Sequence, residues 1–265
     1  MKLMHSTISK PPTCLTIAGF DPSGGAGVLA DVRTFSAFEC FATAAITSIT
    51  FQNYASVYGA LHQTGDSVKR QVEAITDSRD VRAVKIGMLP TREVVEAVAE
   101  LIKGLQLKNV VVDPVIRSTS GYDLIDSEAL AAMTELIFPW AELITPNIPE
   151  TEEITGVSIN SPDDMRHAVR LMQAMGAKNV LVKGGHAFEG KRQKAKGKSK
   201  KATDHLFTGD DIEVYEAEFI DGPNVRGTGC MLSSAIAANL ALGRGMSQAV
   251  QAAKDFVTEA IRAAS

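Results

Sequence analysis

The sequence predicts an α/β fold: a mainly parallel central sheet flanked by helices on both faces, with a small antiparallel hairpin near the C-terminal third. Short β-branched or apolar runs alternate with longer helical patterns along most of the chain. That alternation is typical of parallel strands joined by helical crossovers. It breaks after Gly185, where a polar insert leads into a hairpin pattern and two final helices.

Each predicted strand is an apolar or β-branched run, and each predicted helix carries apolar residues at helical spacing. The strands are expected at 14–19, 44–52, 81–89, 109–115, 141–147 and 179–185. The helices are expected at 24–38, 67–77, 91–105, 126–138 and 161–177, followed by the hairpin at 205–220 and helices at about 230–243 and 247–263. Since parallel sheets bind ligands at the carboxyl ends of their strands, the functional residues are expected there.

Length and composition favour one globular domain over residues 1–265. The chain is 45% hydrophobic and 22% charged, with a net charge of -4. The first residues, "MKLMHSTISKPPT", contain no apolar segment, and no run of 18 apolar residues occurs, so we expect no membrane span and a cytoplasmic protein. Cys14, Cys40 and Cys230 are too widely spaced for a metal pair or a disulfide framework, which predicts reduced thiols.

The first strand is followed by a glycine-rich turn, "GFDPSGGAG", that lets the backbone approach a ligand before the helix carrying Asp31. The spacing of Gly25, Gly27 and Ala30 also matches a dinucleotide fingerprint. Against that interpretation, a long loop precedes the glycines, and the second strand ends at Gln52 rather than at an acidic ribose partner. A P-loop is excluded because the sequence contains no G-x-x-x-x-G-K-[ST].

Later strands end in polar groups that should converge on one edge of the sheet: Asp113, Asn147, Glu150 and Lys183. Carboxylate and amide oxygens suit Mg²⁺, and a lysine supplies charge to phosphates. We therefore predict that Lys183, Asn147 and Glu150 bind ATP and that Asp113 and Glu150 hold Mg²⁺, partly through water. Two alternatives remain open: Asn147 and Glu150 can form a helix capping box, and Asp113 can be a turn residue before proline.

The segment "GTGC", Gly227 to Cys230, stands where an apolar helix begins. Free N–H groups and the positive end of the helix dipole make such a position an anion site. A cysteine there is expected to have its pKa lowered from about 8.5 into roughly the 3.5–7.5 range, which would let Cys230 accept a proton at neutral pH. The alternative is a small buried residue at the start of a core helix.

Seven segments together resemble the hydroxymethylpyrimidine/phosphomethylpyrimidine kinases of thiamine biosynthesis, members of the ribokinase-like superfamily. They cover nearly the whole chain in order: "LTIAGFDPSGGAGVLADVRTFSA", "TSITFQN", "KIGML", "VVDPV", "TPNIPE", "VKGGH" and "GTGCMLSSAIAANLA". The resemblance implies an enzyme that uses ATP and Mg²⁺ and forms a homodimer. Superfamily members usually have aspartate as the base where this chain has Cys230.

The resemblance also implies roles for single residues. Gln52 would hydrogen-bond the aminopyrimidine, and a carboxamide suits that task because it offers one acceptor and two donors. Met88, Val115 and the backbone of Ala26 would line the pocket, although a methionine at a strand end can simply be core. Asp31 would lie near the reacting hydroxymethyl group.

The predicted function is therefore the ATP-dependent phosphorylation of 4-amino-5-hydroxymethyl-2-methylpyrimidine and then of its monophosphate. Cys230 takes or orients the hydroxyl proton, and the amides of Gly227, Thr228, Gly229 and Cys230 stabilise the transferred phosphoryl group. The nearer alternative is a pyridoxal kinase of the same superfamily. The farther one is a thiol hydrolase or transferase using Cys230 with His186, which would act without ATP.

The sequence departs from the family pattern in three places. Two of them bear on the substrate pocket, and the third is an insert. Arg226 stands where the family often has histidine, and Arg117 and Tyr122 lie in a loop of unusual sequence. The insert from Lys191 to Lys201 contains seven Lys/Arg residues, and we expect a mobile solvated loop, with a flap over ATP as the second interpretation. Binding of nucleic acid is disfavoured because the rest of the chain is net acidic.

Overall fold

Nine strands and eight helices occur in the parts of the chain that the computed structural model describes, residues 10–118, 120–184, 201–220 and 226–264. The strands are β1 Thr13–Phe20, β2 Phe41–Gln52, β3 Val57–His62, β4 Val81–Ile86, β5 Val110–Val112, β6 Leu143–Ile144, β7 Asn179–Lys183, β8 Lys201–Thr208 and β9 Asp211–Glu218. The helices are α1 Gly27–Ala37, α2 Gly65–Thr76, α3 Arg92–Gly104, α4 Ser127–Leu136, α5 Ile148–Thr155, α6 Pro162–Ala174, α7 Thr228–Ala241 and α8 Met246–Ala264.

The described strands form a single sheet in the order β3-β2-β1-β4-β5-β6-β7-β8-β9. The six strands from β2 to β7 in this order pair in parallel, and β3, β8 and β9 add to the two edges in antiparallel fashion. The predicted α/β sheet with its late hairpin is confirmed, although β8 begins at Lys201, four residues before the predicted hairpin. The edge strand β3 was not predicted.

Helices cover both faces of the sheet and create two apolar layers. Alternate residues of β5 show the division, since Val110 and Val112 join the larger cluster with α2, α3, α4 and α6, while Val111 joins the cluster under α7 and α8. A strand buried on both faces reads as an unbroken apolar run, as "VVV" does in β5. This packing fixes the carboxyl ends of the parallel strands relative to the start of α7.

Two further expectations concern the chain as a whole. Cys14, Cys40 and Cys230 are free thiols, as predicted. A helix both long and apolar enough to cross a bilayer does not occur in the described ranges.

Candidate active site

A pocket opens at the carboxyl ends of β1, β2 and β4, between the glycine-rich turn and the start of α7. The four residues predicted to bind substrate, Gln52, Ala26, Met88 and Val115, all lie on its walls together with Cys230. They come from three strand ends, one turn and one helix, so only the folded sheet brings them together. Cys230 and Gln52 therefore line the same cavity.

Two glycines allow the turn after β1 and the start of α7 to interlock. Gly27 has φ +57° and Gly227 has φ +75°, a region that residues with a Cβ rarely adopt. A Cβ on Gly27 would overlap the carbonyl oxygen of Gly19, and a Cβ on Gly227 would overlap that of Gly25. The backbones therefore meet at distances that only glycine permits.

Asp21 is a buried pocket residue that the sequence analysis did not single out. Its Oδ1 accepts a hydrogen bond from the Ser23 backbone N–H at 2.8 Å, and its Oδ2 accepts one from the Ala26 N–H at 3.0 Å. Burial by itself would raise the pKa of Asp21, but hydrogen bonds from Gln52, Ser23 and Ala26 outweigh it and lower the pKa. Asp21 thus shapes the turn and orients the Gln52 carboxamide; its place before proline in a turn was the available signal.

Cys230 is half-buried, and its proton is held more tightly than predicted. Burial raises the pKa of its thiol, and the charges of Asp31 and Asp113 act in the same direction. The positive charge of Lys85 and the Gly27 backbone oppose this effect without overcoming it. The prediction of a lowered pKa is wrong, because the loss of solvation exceeds the benefit of the helix end.

Lys85, on β4, forms an ion pair with Asp31 that is fully removed from solvent. Its Nζ donates to Asp31 Oδ2 at 2.9 Å, and the other carboxylate contacts come from Thr16 at 2.6 Å and Ser234 at 2.7 Å. Burial alone would lower the pKa of Lys85, but Asp31 and Cys230 outweigh it and raise the pKa. Lys85 lines the pocket and Asp31 lies directly behind it, so the expected place of Asp31 near the reacting hydroxymethyl group stays a prediction.

Lys183 joins the two carboxylates predicted for the phosphate side. Its Nζ lies 2.6 Å from Asp113 Oδ1 and 3.8 Å from Glu150 Oε2. Burial alone would raise the pKa of Asp113, but Lys183 and Lys85 hold it below its usual range. Burial raises the pKa of Glu150 to about 7 against the opposing charge of Lys183. The structure therefore brings together Asp113, Glu150 and Lys183, as the strand-end argument predicted.

Asn147 and Glu150 also form the capping box that was left open as an alternative. Asn147 Oδ1 accepts from the Glu150 N–H at 2.8 Å, and Glu150 Oε2 accepts from the Asn147 N–H at 2.7 Å. The box opens α5 at the end of β6. Because the Asn147 oxygen is already engaged, a contact between Asn147 and ATP stays a prediction.

A second pocket lies on the other side of the α7 N-terminus. Its apolar wall includes Leu232 and Val257, and its polar wall includes Lys183 and the buried Lys254. Thr228 and Gly229 face this second pocket, whereas Gly227 and Cys230 face the first. A Cβ on Gly229 would lie 3.3 Å from Lys183 Nζ, so the helix end and this ammonium group adjoin. The first turn of α7 therefore separates two cavities and borders both.

The residues that depart from the family pattern differ in their position relative to the first pocket. Arg226 lines the first pocket, whereas Arg117 and Tyr122 do not, although Ser118 and Leu124 of the same loop do. Arg117 pairs instead with acidic groups outside the pocket. His186 and residues 191–200 of the basic insert lie outside the described residues, and Lys201 belongs to β8.

Comparison with known proteins shows the family to which the chain belongs. The family model described as phosphomethylpyrimidine kinase matches residues 21–265. A hydroxymethylpyrimidine/phosphomethylpyrimidine kinase from Aquifex aeolicus is 40% identical over 94% of this chain and 93% of its own length.

Solved structures show the same similarity. The phosphomethylpyrimidine kinase of Clostridium difficile 630 superposes with a TM-score of 0.79 at 40% identity, covering 94% of this chain and 99% of its own. The pyridoxal kinase of Bacillus subtilis, solved as an ADP complex, gives a TM-score of 0.82 at 38% identity, covering 95% and 92%. The fold is ribokinase-like.

Proposed function

The chain belongs to the phosphomethylpyrimidine kinase family, and from that premise we propose that it phosphorylates 4-amino-5-hydroxymethyl-2-methylpyrimidine and then its monophosphate with ATP. The single observation that carries the proposal is the first turn of α7, which borders one pocket with Gly227 and Cys230 and the other with Thr228 and Gly229. A phosphoryl group moving between the pockets passes the free N–H groups of this turn. Backbone donors at that point stabilise the charge of the transition state.

The first pocket is the acceptor side. Gln52 donates one N–H to Asp21, which fixes its orientation, and offers its oxygen and its second N–H to the aminopyrimidine edge. Met88 supplies an adaptable apolar surface to the flat ring. Cys230 orients the hydroxyl group as a thiol in the resting enzyme. After the thiol has lost its own proton to solvent, the thiolate accepts the hydroxyl proton as the new P–O bond forms.

The second pocket is the ATP side. Its apolar walls suit a purine ring, and Lys183 at its base supplies positive charge to the phosphates. Among the described residues no group of three acidic, histidine or cysteine side chains is placed to hold a metal. Mg²⁺ needs fewer, since it commonly binds one or two carboxylates together with waters and substrate phosphates. Asp113 and Glu150, both close to Lys183, fit this requirement and would hold a Mg²⁺ that neutralises the triphosphate.

The proposed activity is tested by an ATP-consumption assay with the hydroxymethylpyrimidine, its monophosphate and pyridoxal side by side. We expect turnover of both pyrimidines at rates above that of pyridoxal. A pyridoxal rate well above both pyrimidine rates would assign the chain to the second candidate function, vitamin B6 phosphorylation. The similarity to the Bacillus subtilis pyridoxal kinase is the observation that keeps this candidate in view.

Replacing Gln52 with leucine should lower kcat/KM for the hydroxymethylpyrimidine about 5- to 150-fold. The change leaves buried polar groups of the pyrimidine without partners, which costs roughly 1–3 kcal/mol. Steady-state kinetics of the folded variant provide the measurement, with Gln251→Leu, on the exposed side of α8, as the control. Unchanged pyrimidine kinetics in Gln52→Leu would remove this residue from the recognition site.

We propose that the chain forms a homodimer through the β2–β3 hairpin, and the exposed apolar side chains at this edge of the sheet support the proposal. Ile49, Phe51 and Leu61 are exposed, and the pairing of Ile49 with Leu61 and of Phe51 with Gly59 places them on one face. An exposed apolar edge is an association site, and a second copy of the same hairpin satisfies it symmetrically.

We expect light scattering to show a dimer that Phe51→Glu/Leu61→Glu converts to a monomer. Val214→Glu, on the exposed edge strand β9, should leave the mass unchanged. A dimer that survives the double substitution would place the interface elsewhere.

The continuous sheet of the described residues supports a single kinase domain in each protomer.

A further inference from the structure

Arg226 spans the mouth of the substrate pocket, from the turn before α7 to the loop after β2. Its Nη1 donates a hydrogen bond to the Asn53 carbonyl oxygen at 2.6 Å, and its guanidinium carbon lies 6.0 Å from the centre of the Tyr54 ring. It lines the pocket and is only partly exposed. Within the described residues, one of its five N–H donors is used, for Asn53, and the other donors of the guanidinium fork are available to a further acceptor.

The charges around the pocket make Arg226 distinctive. Among the described residues on the pocket wall, the charged ones are Asp21, Lys85 and Arg226. The charge of Lys85 is balanced by Asp31 directly behind it. Asp21 lies close by, since a Cβ on Gly25 would be 3.6 Å from Asp21 Oδ2 and 3.5 Å from Arg226 Cβ. A dianionic ligand in this pocket would be repelled by the Asp21 carboxylate. Arg226 is the cation on the described pocket wall that can balance this repulsion, because Lys85 is already paired with Asp31.

The two proposed substrates differ in this property. The hydroxymethyl alcohol is neutral, whereas its phosphate monoester carries a charge of roughly -1.5 to -2 at neutral pH. In the second transfer, an oxygen of that monoester bonds to the γ-phosphorus while the bond from the γ-phosphorus to ADP breaks. The monoester must then lie at the first turn of α7, which begins two residues after Arg226.

We propose that Arg226 is a specificity-determining residue that favours the phosphorylated substrate in the second transfer, by placing its guanidinium beside the monoester phosphate. The inference rests on the proposed function. A guanidinium binds phosphate through parallel charge-assisted hydrogen bonds, which are stronger than neutral ones. The hydrogen bond to Asn53 holds the side chain over the pocket before the substrate arrives, so less freedom is lost on binding.

The experiment compares Arg226→Gln and Arg226→Lys with the wild-type protein, using the alcohol and the monophosphate as separate substrates. Glutamine keeps a donor for the Asn53 carbonyl oxygen but removes the charge, and lysine keeps the charge without the fork. We expect Arg226→Gln to lower kcat/KM for the monophosphate about 10- to 150-fold while the alcohol changes less than about 3-fold. Arg226→Lys should retain a larger part of the preference.

Two controls keep the outcome interpretable. Arg92→Ala removes the same charge from an exposed i,i+4 pair on α3 and should change neither rate. Raising the salt concentration should lower the wild-type kcat/KM for the monophosphate more than for the alcohol, because only the former is an anion. Equal losses for both substrates in Arg226→Gln, or no loss, would overturn the inference. A wild-type protein that phosphorylates neither pyrimidine would instead overturn the proposed function.

Discussion

Replacing Cys230 with alanine should lower kcat by about 10²–10⁴-fold, the usual contribution of a group that handles a proton in the transition state. The anion site at the start of α7 consists of backbone N–H groups, so the affinity for ATP should stay within a few-fold of the wild type. Steady-state kinetics and ATP titration separate the two effects. An alanine variant with near wild-type turnover would make Cys230 a packing residue and leave the proposed mechanism without its proton acceptor.

The raised pKa of the thiol gives this prediction a pH dependence. Below its pKa the group is protonated, so a rate that depends on the thiolate should rise from neutral into alkaline pH, by up to about tenfold per unit. Cys230→Asp restores the type of base that the superfamily usually has. Its rate should exceed that of the alanine variant and rise less steeply above neutrality. The same steep rise in the alanine variant would assign the titration to another group.

Replacing Lys85 with methionine should lower the free energy of unfolding by about 3–5 kcal/mol. The substitution leaves the Asp31 carboxylate buried without its cation, and a buried pair broken at one partner is costly. Hydrogen bonds from Thr16 and Ser234 remain, which should keep the loss near the lower end. Chemical denaturation at neutral pH measures the difference.

The double variant Lys85→Met/Asp31→Asn identifies the cause. Asparagine removes the unpaired charge and keeps an oxygen that Thr16 or Ser234 can donate to, so much of the lost stability should return. Lys69→Met, which removes an exposed partner of Glu100, should have little effect. Single and double variants of equal stability would show that lost packing around Lys85, rather than an uncompensated charge, dominates.

The sequence was sufficient for features that depend on local pattern. The parallel strands β1, β2 and β4 were predicted from apolar or β-branched runs, and their carboxyl ends had to meet at one edge of the sheet. For this reason Gln52, at the end of β2, and Met88, just after β4, share a pocket. The edge strand β3 was not predicted, because its residues are half-buried or exposed and do not form a continuous apolar run. Strand β6 contains only Leu143–Ile144, so its predicted boundaries were too wide.

Electrostatic features required the three-dimensional structure. A lysine within the strand "VRAVKI" gave no sign that its partner, Asp31, lies 54 residues earlier. The pKa of Cys230 was predicted from the helix end alone, whereas burial and the surrounding carboxylates decide its direction. The capping box and the cluster around Lys183 were alternative interpretations of the same segment, "TPNIPE". Both are present, because Glu150 Oε2 accepts the hydrogen bond from the Asn147 N–H and also lies 3.8 Å from Lys183 Nζ.

The interlock between Gly227 and the Gly25 backbone has a consequence for biosynthesis. The two surfaces that form the substrate pocket are about 200 residues apart in the chain, and a hydrogen bond between Ser234 and Asp31 spans 203 positions. While α7 is still inside the ribosome, the face of the sheet that this helix covers is exposed, and the ion pair between Asp31 and Lys85 lacks the contact from Ser234. During synthesis the pocket can therefore be completed only after α7 has emerged, and a ribosome-bound chain that ends before α7 has neither a covered ion pair nor the anion site at the start of that helix.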